Sequence, residues 1–169
     1  MNYGAKILTR LKAEKKELLG PSQKNKFSLL NHKEGGLLFQ VKYKDLDKYG
    51  IVLDYLSISK DEQIRDVEII NKKLAEQAET LQKTVTYLLE DFRLLELDKM
   101  NKRAQLRSYP PHEKKNSKFY YEIMLDEGIR IHFQRYEYVR DQKRYVKITS
   151  QLTLETFERL VDDLSSLLN

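Results

Sequence analysis

The sequence predicts an α+β fold: an antiparallel sheet (a hairpin plus a three-stranded meander), N- and C-terminal helices, and one long central helix with coiled-coil character. Three observations carry this reading. Apolar and polar residues alternate in short runs after residue 37 and again after residue 119, the periodicity of half-buried strands. Near both termini apolar residues recur every three to four positions, the helical period. Between Ser59 and about Asn101 they recur every seven, the period of a helical seam.

Taken in order, residues 2–19 form an amphipathic helix. Tyr3, Ile7, Leu8, Leu11, Leu18 and Leu19 make its apolar side, and Lys6, Arg10, Lys12, Lys15 and Lys16 its polar side. Gly20–Pro21 stops it. Residues 21–36 are polar, end in Gly35–Gly36 and read as a loop. Leu37, Phe39, Val41 and Tyr43 define a strand, Asp45 to Gly50 a turn, and Ile51, Leu53 and Tyr55 a second strand to about Ile58.

Ser59 and Glu62 have capping-box spacing and start the central helix. One heptad series is Ile64, Asn71, Ala78, Val85 and Phe92, the other Val67, Leu74, Leu81, Leu88 and Leu95. About forty residues make a rod of roughly 60 Å. The expected seam comprises Ile64, Val67, Asn71, Leu74, Ala78, Leu81, Val85 and Leu88, with Asn71 setting register. Leu88 to Leu97 is apolar nearly all round, so that end docks into a core. Ser108–Tyr109–Pro110–Pro111 breaks the chain, and 112–118 is a basic loop. Strands over 119–126, 129–139 and 144–150 follow, and Thr153 caps a helix through Leu168. The organisation expected is a basic amphipathic helix and loop over 1–36, then one α+β domain over 37–169 with the helix of about 60–105 projecting from it.

Composition limits function. The chain has 169 residues, no cysteine and a net charge of +5. Without cysteine there is no disulfide framework and no thiolate. No apolar run reaches the ~18 residues of a span, and the N-terminus lacks a signal-peptide core; a cytoplasmic location is expected. Charge is uneven. Residues 1–33 and 99–118 each carry net +6, leaving −7 elsewhere. Lys99, Lys102, Arg103, Arg107, Lys114, Lys115 and Lys118 are therefore candidate polyanion contacts. The apolar side of the helix over 2–19 is expected to pack on the sheet, with contact with a membrane surface as the lesser alternative.

Catalytic ingredients are not assembled in the sequence. His32, His112 and His132 fall in three elements without ligand spacing, and no phosphate-loop or nucleophile-elbow motif occurs. The reading is a non-enzyme with no catalytic residue, no cofactor and no metal. The meander instead gathers one polar face: Tyr120 and Glu122 from its first strand, Arg130, His132, Gln134, Tyr136 and Tyr138 from its second, Tyr145 and Lys147 from its third. Tyrosine and arginine are interface residues, and interleaved with cations on a sheet they also suit nucleic acid. The expected function is a protein-interaction or assembly protein, a homodimer through the central helix, presenting this face to a protein partner. The alternatives are a nucleic-acid-binding protein using both basic segments and the same face, and a peptide-holding chaperone. The element order loosely resembles that of class I secretion chaperones, small dimers that hold an extended effector segment, though no motif carries the comparison.

Overall fold

A computed structural model describes residues 2–17 and 26–169. Helix α1 (Tyr3–Glu17) leads to three strands, β1 (Ser28–Glu34), β2 (Leu37–Leu46) and β3 (Gly50–Lys60). Helix α2 (Val67–Thr84) follows. Then come β4 (Asp91–Asp98), β5 (Arg103–Tyr109), β6 (His112–Lys114), β7 (Ser117–Asp126), β8 (Arg130–Val139), β9 (Arg144–Ile148), β10 (Ser150–Thr153) and helix α3 (Leu154–Ser166). All ten strands form one antiparallel sheet, with main order β1-β2-β3-β8-β7-β5-β4.

The long central helix does not exist. Its N-terminal part from Ser59 is the end of β3, and the helix begins instead at Asp66, whose side chain accepts the backbone N–H groups of Glu68 and Ile69 at 2.9 and 3.3 Å. It ends at Thr84. Residues 91–98 are an edge strand, not helix, and 103–109 are its neighbour. The coiled-coil seam is overturned with it. Leu74, Ala78 and Leu81 are buried with Ile70 and Gln77 in this chain's own core, joined by Val85 and Leu88 from the segment after the helix. Ile64 packs at the core's margin, Asn71 is half-buried, and Val67 is exposed. The stripe is real, but its partner is the sheet.

Two smaller readings are also corrected. Residues 28–34, read as loop, form β1, folded back on β2 through Gly35 and Gly36. Both glycines have positive φ (57° and 78°), the backbone a two-residue hairpin of the type I′ kind requires. Residues 112–118 contain the short strand β6. The Gly20–Pro21 helix stop, Leu18, Leu19 and Lys24 lie outside the described residues.

One face of the sheet is apolar and covered. Phe39 and Val41, Leu56 and Ile58, Ile131 and Phe133, Ile123 and Leu125, and Ala104 and Leu106 form buried cross-strand rows. The helices pack against it side by side, with α3 between α1 and α2. Tyr3, Ile7, Leu8 and Leu11 of α1 belong to the same core as Phe157, Leu160, Val161 and Leu164 of α3. The α1–α3 crossing is close. Gly4 N donates to Asp162 Oδ1 at 2.8 Å, and a Cβ at Gly4 would collide with the Glu158 carbonyl. Gln77 fixes α2: its Nε2 donates to the Gly128 and Leu167 carbonyls at 3.0 and 2.9 Å. Among the described residues, no helix is long and apolar enough to cross a membrane.

A candidate protein-interaction face

No described helix crosses the other face of the sheet, and its side chains follow from strand register. One row runs across seven strands: Leu29, Lys42, Tyr55, Gln134, Glu122, Arg107, Arg93. A parallel row begins Asn31, Gln40, Ser57, His132, Met124 and Gln105. Further along β8, Tyr136 faces Tyr120 on one side and Lys147 on the other, and Tyr138 faces Lys118 and Tyr145. Tyr120, Glu122, Arg130, His132, Gln134, Tyr136, Tyr138, Tyr145 and Lys147 thus share one face, because alternate strand residues point the same way.

The sheet forks on this face. β3 and β8 pair from Tyr55–Gln134 to Ser59–Arg130. Beyond that point β9 takes over pairing with β8 and β10 takes over pairing with β3. Asp54 is the extra residue at the fork: Tyr55 pairs with Lys42 and Leu53 with Tyr43, leaving Asp54 between them. Its carboxylate is buried and lies 3.4 Å from Lys42 Nζ and 3.3 Å from Lys147 Nζ. A buried carboxylate is costly unless cations and hydrogen bonds replace water, and two lysines from opposite prongs do so here. Lys147 also sits 4.8 Å from the centre of the Tyr55 ring, and that ring contacts His132 at 5.0 Å.

A second cluster centres on Arg107. Its guanidinium lies 5.0 Å from each of the Tyr120 and Tyr145 rings. It donates to Glu122 Oε2 at 3.1 Å and to the Tyr145 hydroxyl at 3.3 Å. Gln105 Nε2 donates to the same Glu122 oxygen at 3.0 Å, and Tyr138 closes on Tyr145 at 4.9 Å. Burial works against the Arg107 charge, yet the bonds to Tyr145 and Glu122 outweigh it and hold the guanidinium pKa up. Burial also raises the Tyr120 and Tyr136 pKa values, so both phenols stay protonated. Tyr136 accepts a bond from Gln134 Nε2.

The remaining sequence candidates do not converge. Lys99, Lys102 and Arg103 lie at one end of β5, and Lys114, Lys115 and Lys118 near the other, at the β6–β7 hairpin. Arg103 pairs with Asp126 and Lys118 with Glu113, and Lys114 lies over the Phe119 ring. Arg130 closes on Asp126 and Glu127 at the rim. Of the other histidines, His32 sits beside Glu34 on β1 and His112 against Phe119. Sequence reasoning missed Lys42, Asp54, Tyr55 and Arg107 as members of the face. Arg107 lay just past a supposed helix, and the bulge at Asp54 hides the alternation of β3. Compared with known protein families, curated proteins and solved structures, the chain matches none.

Proposed function

We propose that this chain is a non-catalytic interaction module that presents its uncovered sheet face to a protein partner. The observation that carries the reading is the packing of Arg107 against both Tyr120 and Tyr145, whose rings also touch each other at 6.3 Å, with Tyr138 alongside. Tyrosine and arginine supply most hot spots in protein interfaces. Side chains already fixed by one another lose little freedom on binding.

Charge arrangement favours protein over nucleic acid. Arg107 is spent on Glu122, and Lys42 and Lys147 share Asp54. The central cations are therefore neutralised in place, and a phosphate backbone would have to displace carboxylates. The basic residues of 99–118 are divided between two ends of a strand rather than forming one track.

The test is site-specific photo-crosslinking in cells, with the probe replacing Tyr138 in one variant and the exposed Lys72 of α2 in another. A discrete protein adduct from position 138, absent from position 72, is expected. Tyr138→Ala combined with Tyr145→Ala should weaken the recovered partner's binding about tenfold or more. Adducts to nucleic acid, or identical adducts from both positions, overturn the reading. Adducts to many unrelated extended chains would redirect it to peptide holding.

A further inference from the structure

The main strand order ends at two edges, β1 and β4. An edge strand exposes unpaired backbone groups and is usually blunted by charge. β1 fits that pattern, carrying Glu34 paired with Lys6 and His32. β4 is charged too, at Asp91, Arg93, Glu96 and Asp98, but it sets exposed apolar side chains among those charges. Leu94 and Leu95 are exposed along it, and Leu89 and Met100, just beyond its two ends, are 100% and 92% exposed. Among the described residues, the edge N–H of Leu94 meets only the Gln82 side-chain oxygen, at 3.3 Å, a long bond for an amide.

The sequence of this edge is self-complementary. Read outward from the Leu94–Leu95 bond, Arg93 mirrors Glu96, Phe92 mirrors Leu97, and Leu89 mirrors Met100. In a regular strand such mirror positions point to opposite faces, because side chains alternate. Here they do not. Pairing with β5 slips by one residue between Leu94 and Glu96, leaving Leu95 as a bulge. As a result Arg93 and Glu96 both lie on the uncovered face, opposite Arg107 and Gln105. Phe92 and Leu97 both lie on the core face, opposite the buried Ser108 and Ala104. The bulge gives the strand the symmetry a two-fold axis perpendicular to the sheet demands.

We propose that β4 pairs antiparallel with β4 of a second copy, about a two-fold axis through the Leu94–Leu95 step. Arg93 of each copy then meets Glu96 of the other, twice per dimer. Neither residue has an ion-pair partner among the described residues, and Arg93 rests on the Tyr109 ring at 4.0 Å. Leu89 of one copy comes to the end of the strand that carries Met100 of the other. The only like-charge mates, Asp91 and Asp98, fall where Asp98 already accepts from the Asn101 N–H and Nδ2 at 3.0 and 2.7 Å. The carbonyl of the second copy replaces Gln82 at the Leu94 N–H. Two uncovered faces then continue as one sheet, with all helices on the same side.

Analytical ultracentrifugation of the full chain over a concentration series tests this, with Arg93→Glu, Glu96→Arg and the double exchange. Both positions are exposed, and circular dichroism checks that each variant is folded. Wild type should dimerise. Either single substitution should lower the association constant about tenfold or more, since each places two like-charge pairs across the axis. The double exchange should recover it to within about threefold. Wild type that stays monomeric up to about 1 mM overturns the proposal. So does a dimer indifferent to Arg93→Glu, or a double exchange that fails to rescue.

Discussion

Arg107 donates to the Tyr145 hydroxyl at 3.3 Å while its guanidinium lies 5.0 Å from the same tyrosine's ring. Both contacts are possible because β9 is carried by β8, across which Tyr145 stands opposite Tyr138. The cluster therefore reports on three strands at once: β5 supplies the cation, β7 the carboxylate and one ring, and β9 the second ring.

That makes Arg107 a stability residue as well as an interface candidate. Arg107→Ala leaves the buried Glu122 carboxylate with only Gln105. The expected cost is about 1–3 kcal/mol, read as a lower urea midpoint. Arg107→Lys should recover part of it, because lysine keeps the charge but neither the planar stack nor the fork. Equal losses for Ala and Lys would mean that the stack, not the ion pair, carries the cluster.

The core role of α2 separates two outcomes at its apolar stripe. Leu74 and Leu81 are fully buried against the sheet. Leu81→Ala should cost about 2–5 kcal/mol. Leu74→Lys would strand an ammonium in the core and should unfold the chain. A seam residue would instead give a folded monomer, so thermal melting joined to light scattering distinguishes the two directly.

How far these residues are legible in the sequence depends on which period survives. The meander alternates cleanly, so the shared face of Tyr120, Tyr136 and Tyr138 follows from spacing alone. β4 does not, because the bulge at Leu95 adds one residue to an alternating strand. Phe92, Leu95 and Leu88 then fall at three- and four-residue steps, and a strand takes on the period of a helix. β1 gives no alternating signal at all: Leu30 is its sole buried apolar residue, and Ser28, His32 and Glu34 fill the other positions on that face. The cue available was Gly35–Gly36, a hairpin turn followed by an obvious strand. Arg107 could be assigned to the face only through register, since its neighbours Glu122 and Arg93 are fifteen and fourteen residues away.

His132 predicts a pH dependence. Burial holds its imidazole pKa below the usual 6.5, with the Gln134 hydrogen bond opposing and the Lys147 charge reinforcing that shift. Above about pH 6.5 the ring is neutral in both the folded and unfolded chain and contributes nothing to the difference. As pH falls below that value the unfolded chain binds a proton that the native ring resists. Stability should fall until the native pKa is passed. Denaturant unfolding at about pH 7.5 and about pH 5.5 should show the loss in wild type and a smaller one in His132→Gln. An identical loss in both would assign the slope to other groups.

Gln77 offers the sharpest test of how α2 is held. Its side chain is 4% exposed, and its Nε2 is shared between two carbonyls from distant elements, Gly128 in the β7–β8 turn and Leu167 after α3. Both carbonyls are otherwise at chain turns, where regular ladder bonds end. Gln77→Ala removes one donor group and leaves two acceptors facing a small void, for an expected loss of about 2 kcal/mol. Gln77→Leu fills the void but still leaves the carbonyls unpaired, so it should recover only the packing part. Gln77→Glu replaces the donor with an acceptor and sets a carboxylate against two carbonyls, so it should be the most damaging of the three near neutral pH. A stability order in which Leu equals wild type would show that packing, and not the bridge from α2 to the turn and the C-terminal helix, is what Gln77 supplies.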